Sequence, residues 1–565
     1  MRERRPLLNF RLYRLGFVPA VLAIVVVMFS LDGIPRAVDT SAPTGAFEGE
    51  RAALQARQIV AAAPDRTPGS EGDDAAADLV AKRFKAIPAG AVSEQPVAAD
   101  YDGDEVELRN VILTLPGDSD RTILVIASRD SASGSGAATS AAATGLLIEL
   151  ANALGVTQHE RTIVLGSTSG SAAGAAGARA LTSALPQSGS LEAIVVISQP
   201  GVGEPRAPYV ITTSTNDRNG PLQLAQTAEQ AVDTQTGLAA GRPSAFTQLA
   251  RLAFPSGIGD QAPLVAAGRD AVAISSAGER PAASEDEPST QTLDAFGRAV
   301  LSTVSAVDLQ SAALDHGPAT RIELSDNLIP GWALALLALA LALPAAAVAV
   351  DAGARAVRER LGLRAGLAWA AARSLPFLGA LAALYALSLV TLIPRPTFPF
   401  DPGQYPFGAR SAVALVLIML AAAGSALLAR RLRPSAGTTP DGALAALGVV
   451  AVLSWLALWL ANPYLALLAV PLAHVWLAAG GRGGARGVGV VLALALAGCL
   501  PVVAALVAVA NALALGPGGI WTFILMVADG QIGLGELVAA SLLAGSAVGA
   551  LAVVIRHRAG VPAAV

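Results

Sequence analysis

The chain has 565 residues, of which 53% are hydrophobic, 15% charged and 4% aromatic. Globular domains carry about 25% charged residues, so this composition excludes a disordered chain and a charged scaffold, and a mean hydropathy of +0.55 argues against a uniformly soluble enzyme. A formal net charge of −4 supplies no basic field for nucleic acid, and the single cysteine, Cys499, excludes an internal disulfide or a thiolate zinc site.

In chain order, Arg2, Arg4, Arg5, Arg11 and Arg14 flank an apolar run over 17–31. Basic residues before an apolar run mark a signal sequence or anchor. A membrane span takes about 20 residues, and 12–31 supplies them. No small-x-small cleavage site follows, so residues 1–38 are expected to be an uncleaved anchor.

Residues 39–326 regain charges, prolines and hydroxyls. Strands are expected over 108–115, 122–128, 162–167, 193–198, 209–213 and 271–275. Helices are expected over 49–63, 73–84, 140–154, 172–185 and 292–314. Short apolar strands alternating with amphipathic helices imply an α/β layered, mostly parallel sheet. Sites in such sheets form at the carboxyl ends of strands, here 128–136, 168–172 and 198–203.

Residues 327–565 read as an all-α polytopic membrane bundle. Spans are expected over 332–350, 375–393, 411–428, 443–460, 464–479, 488–513 and 536–555, with a re-entrant or interfacial piece at 520–527. Arg355, Arg358, Arg360, Arg364 and Arg373 follow the first of these spans. Arg430, Arg431 and Arg433, then Arg482 and Arg486, then Arg556 and Arg558 fall in alternate loops and the tail. The positive-inside rule makes those segments and both termini cytoplasmic, and 39–326 extracytoplasmic.

Several motifs of the soluble domain occur in the order of a known family. They are Asp65-Arg-Thr-Pro-Gly-Ser-Glu-Gly-Asp73, Arg109-Asn-Val-Ile, Ile126-Ala-Ser-Arg-Asp-Ser131, Gly136-Ala-Ala-Thr-Ser-Ala-Ala-Ala143, Thr168-Ser-Gly-Ser-Ala-Ala-Gly174 and Gly259-Asp-Gln-Ala-Pro263. Over residues 50–315 the chain resembles M28 zinc aminopeptidases. The resemblance implies a phosphorylase/hydrolase-type α/β fold and, in an intact member, a zinc cofactor. A cocatalytic zinc site needs imidazole and carboxylate ligands and a general-base glutamate. Carried over position by position, the first histidine is Ser128 and the bridging aspartate Thr139. The general base is Ser171, the adjacent ligand Ala172, the later aspartate Gln199 and the last histidine Gln261. Asp130 and Asp260 keep their identity but have no ligand histidine to serve. His159, His316, His474 and His557 all fall outside these motifs.

The expectation is therefore a degenerate domain with no catalytic residue, no metal and no bound zinc. Ser128, Asp130, Thr139, Ser171, Ala172, Gln199, Asp260 and Gln261 are its pocket candidates. Ser128, Asp130, Ser131 and Ser171 lack the positioned base that a serine nucleophile needs. Glu279, Glu285 and Glu287 read as a solvated acidic loop. The expected role is binding or scaffolding in a bacterial cytoplasmic membrane. The expected partners are the lipid bilayer and another membrane or extracytoplasmic protein or peptide, with no nucleic acid. Two alternatives stay open: an active metallopeptidase with atypical ligands, and a transporter-like bundle with an accessory domain. His474, Asn462, Asn511 and the prolines at 344, 376, 471 and 501 are the only features favouring transport.

Overall fold

The computed structural model describes residues 7–40, 44–88, 90–132, 134–185, 191–239, 241–280, 287–432, 439–480 and 487–558. Arg2, Arg4, Arg5, Glu285, Arg433, Arg482 and Arg486 lie outside them.

Among the described residues, the main sheet of the α/β domain has seven strands: β1 (Ala91–Tyr101), β2 (Asp104–Leu115), β3 (Thr122–Ser128), β4 (Thr162–Thr168), β5 (Leu191–Ser198), β6 (Val210–Ile211) and β7 (Ala271–Ser275). They lie in the order β1-β2-β4-β3-β5-β7-β6. The centre, β4-β3-β5-β7, is parallel, and β1, β2 and β6 pair antiparallel at the edges. The sheet is thus mixed, with the expected parallel arrangement confined to its middle. β1 and β2 form a hairpin through Asp102 and Gly103, both at positive φ, and a hairpin imposes antiparallel pairing.

Burial follows from the strand period of two. Ile123, Val125 and Ala127 join the core formed with helices Gly49–Ala62, Ser140–Leu154, Leu222–Thr236 and Thr290–Leu309. Leu124 and Ile126 pack instead on Ala178, Leu181, Leu264 and Val265 from helices Ala176–Ala184 and Gln261–Ala266. Helices cover both faces, which is why the central strands are apolar throughout.

Among the described residues, six helices are long and apolar enough to cross a membrane: Phe10–Phe29, Gly331–Arg358, Ala409–Arg431, Pro440–Ala461, Val488–Ala512 and Leu534–Ile555. A bent pair, Leu363–Ala372 and Leu375–Leu389, meets at 45° and could make a seventh crossing. The expected span over 464–479 is instead three short pieces, Pro463–Leu468, Val470–His474 and Val475–Gly480. Pro463 and Pro471 stand in the first turns of the first two, where a missing N–H does no harm, whereas inside one long helix Pro471 would break it. Residues 520–527 fall in the short helix Gly519–Asp529, packed against Leu384, Ile393, Phe400 and Ala414.

The bundle has two distinct ends. At one, the soluble domain is tied down: Asn462 Nδ2 donates to Ala253 O at 3.0 Å, Gln531 Nε2 to Pro255 O at 3.2 Å and Gly331 N to Thr320 O at 2.7 Å. At the other, Thr439 N donates to Leu361 O at 3.4 Å. Arg355, Arg358 and Arg360 lie at this second end, at the C-terminus of Gly331–Arg358, whose N-terminus meets the domain.

Candidate functional site

The carboxyl ends of β3, β4 and β5 open into one cleft of about 630 Å³. Ser128 closes β3, and the next two residues are Arg129 and Asp130. Arg129 is fully buried, with its Nε 2.8 Å from Asp73 Oδ1 and its Nη1 donating to Ser167 O at 3.1 Å. Arg66, also fully buried, donates to Arg129 O at 2.8 Å, Ala63 O at 2.7 Å and Ser135 O at 2.7 Å. These guanidiniums fix the floor of the cleft by satisfying buried carbonyls, as burial requires. Burial lowers Arg66 to about 10 and raises Asp73, whose rise Arg129 opposes.

Asp130 is engaged by the protein itself. Its Oδ1 accepts the Ser128 hydroxyl at 2.6 Å and the Ser171 amide at 3.1 Å, and its Oδ2 accepts the Ala172 amide at 3.2 Å. Without a histidine beside it, Asp130 organises the loop after β4. The Ser171 hydroxyl then donates to Asp260 Oδ1 at 2.6 Å, so one serine joins the two carboxylates. Burial, with Asp130 nearby, pushes Asp260 up to about 7 against the Ser171 hydrogen bond.

Of the sequence candidates, Ser128, Asp130, Thr139, Ser171, Ala172, Gln199 and Asp260 all line this cleft. Thr139 precedes helix Ser140–Leu154, and Gln199 holds a left-handed backbone at φ 47. Gln261 is fully buried behind the wall, with Nε2 3.4 Å from Thr213 O and, among the described residues, no partner for Oε1. A Cβ on the lining residue Gly259 would meet that Oε1.

The cleft also has walls that sequence reasoning missed. Glu279, expected on a solvated loop, is buried, paired with Arg251 and hydrogen-bonded by Thr213 Oγ1 at 2.7 Å. Arg206 and Arg280 line the cleft, as do Asp401, Gly403 and Gln404 from the loop joining the bundle helices Leu375–Leu389 and Ala409–Leu432. That loop reaches the domain at Gly174 (φ 66), where a Cβ would stand 2.8 Å from Thr397 Cγ2. Asp401 accepts the Gly403 amide at 2.8 Å, and burial raises it, opposed by that bond and by Arg280.

The histidines lie elsewhere. His159 Nδ1 is 3.1 Å from Asp308, and His316 Nδ1 is 3.0 Å from Asp270. His474 Nδ1 is 2.8 Å from Val470 O within the bundle. The side chain of His557 is outside the described residues. Among the described residues, no group of three or more His, Cys, Asp or Glu is placed to hold a metal ion. The hydroxyls and amides at the cleft do not fit a cocatalytic zinc pair, which binds through imidazole and carboxylate.

Residues 110–304 match the sequence profile of Peptidase family M28. Similar solved structures include a glutaminyl cyclase from an Acidobacteriales bacterium, at 21% identity and TM-score 0.38, covering 48% of this chain and 99% of its own. A Zn-dependent exopeptidase from Parabacteroides distasonis matches at 16% identity and TM-score 0.36, covering 47% and 99%. A leucine aminopeptidase precursor from Bacteroides thetaiotaomicron matches at 17% identity and TM-score 0.36, also covering 47% and 99%. A search among curated proteins finds no match. Residues 110–304 are a peptidase M28 domain, carried by a chain with several helices apolar enough to cross a membrane.

Proposed function

We propose that this is a membrane protein whose M28 domain has given up zinc hydrolysis and uses its cleft to bind a ligand or partner. The observation that carries the reading is the fate of Asp130. Both its oxygens are occupied by hydrogen bonds from Ser128, Ser171 and Ala172. Three positions that hold metal ligands or the general base in the resemblance thus act here as hydrogen-bond donors. The cleft itself stays open, with polar groups converging on a concave space, which is the usual form of a binding site.

Arg355, Arg358 and Arg360 lie at the bundle end away from the domain. The positive-inside rule then supports a cytoplasmic location for them and an extracytoplasmic one for the domain. Calorimetric zinc titration of the full chain in detergent, with an aminoacyl-arylamide hydrolysis assay, tests the reading. We expect no stoichiometric zinc binding and no hydrolysis. Stoichiometric binding with chelator-sensitive hydrolysis would reinstate a metallopeptidase.

A further inference from the structure

The cleft is polarised. At its deep end, Asp130 and Asp260 are each less than a tenth exposed. Asp130 has its hydrogen-bonding donors, but Asp260 has the Ser171 hydroxyl and no second donor among the described residues, and no cation faces it. A buried carboxylate without a counter-charge is costly unless something cationic completes it. Toward the mouth stand Arg280, half-buried near Asp401 and donating through Nη1 to Ala514 O, and Arg206, exposed. A ligand that satisfies both ends carries a positive group inward and a negative group outward.

The form of the cation follows from the lining, which among the described residues contains no aromatic ring. Quaternary ammonium groups are held by aromatic faces. A primary ammonium offers three N–H donors, which carboxylates, hydroxyls and an amide oxygen can accept. The negative group suited to arginine is a phosphate or carboxylate.

The source follows from where the cleft sits. Asp401 and Gln404 belong to a loop between two apolar bundle helices, so the wall of the cleft is the end of the bundle itself. Phe407 in the same loop is about half exposed, with its ring centroid 6.2 Å from that of Trp521. Tryptophan and tyrosine mark the membrane–water interface, and Trp521 stands in the first turn of helix Gly519–Asp529. We propose that the cleft takes the ammonium-phosphate head group of a membrane amphiphile, the ammonium against Asp260 and the phosphate toward Arg206 and Arg280. This rests on the reading of the cleft as a binding site.

Native mass spectrometry of the detergent-solubilised full chain tests it, with equimolar phosphatidylethanolamine, phosphatidylcholine and phosphatidylglycerol of one acyl composition. We expect phosphatidylethanolamine to be retained over the other two, and Asp260→Asn to cut that retention roughly tenfold or more, the loss of one charge-assisted hydrogen bond. Arg242→Gln, outside the cleft, should leave it unchanged. Equal retention of phosphatidylcholine would overturn the primary-ammonium assignment. Equal competition by free glycerophosphoethanolamine would keep the head group but overturn a membrane source. Displacement by a peptide with a free N-terminus would replace the lipid with a peptide and end the proposal. Absent preference in a chain that binds no zinc defeats this inference alone; stoichiometric zinc with hydrolysis defeats the binding-site reading as well.

Discussion

Asp260 carries a free-energy cost that the rest of the domain bears. Its pKa rises from 3.8 to about 7 because burial disfavours the charged form. The folded chain therefore binds more protons than the unfolded chain between those two values. The contribution of this group is most favourable below the lower value and is lost as pH rises through the upper one, a cost on the order of 4 kcal/mol. Asp260→Asn should raise the thermal midpoint of the full chain in detergent at pH 8 and change it little at pH 4. A loss of stability at pH 8 would show that the carboxylate is structural. A residue kept at such a cost is a mark of a functional site. The cleft positions Ser128, Thr139, Ser171, Ala172 and Gln199 were legible from the motifs, because local spacing fixes which loop each occupies. Arg66, Arg129 and Glu279 were not, because their partners come from segments distant in sequence and nothing local marks an arginine as buried.

Among elements, the apolar helices were legible because length and composition suffice to identify them. The break at 463–480 was not: an apolar run reads alike whether straight or broken, and only Pro463 and Pro471 signalled otherwise. β1 was missed because it is a mostly solvated edge strand, containing Glu94, Gln95 and Pro96, without the alternation that marks a half-buried one. Close packing of the N-terminal helix also escaped sequence reasoning. A Cβ on Gly16 would stand 2.6 Å from Pro344 Cα, and Ala20, Ala23 and Ala340 pack together beyond it. Gly16→Leu should therefore lift that helix off Gly331–Arg358. In a Cys499→Ala background, cysteines placed at Ala20 and Ala340 should crosslink on oxidation, and adding Gly16→Leu should abolish the crosslink. Persistence of the crosslink would mean that the contact tolerates a side chain.

At the scale of the whole molecule, a soluble α/β domain sits on one end of a helical bundle, and a loop of the bundle completes its cleft. The two-part organisation was legible from the change in composition near residue 327. The shared cleft was not, since no local pattern shows that Asp401 and Gln404 meet residues of β3 and β5. The proposed orientation predicts that, in intact cells lacking Cys499, a membrane-impermeant maleimide labels Asp104→Cys but not Arg358→Cys. The reverse pattern would invert the topology. If the M28 domain no longer carries zinc chemistry, elemental analysis of the full chain purified from zinc-replete cells will find zinc well below one equivalent per chain. One or two equivalents, removed by a chelator together with peptide hydrolysis, would show an intact metallopeptidase instead.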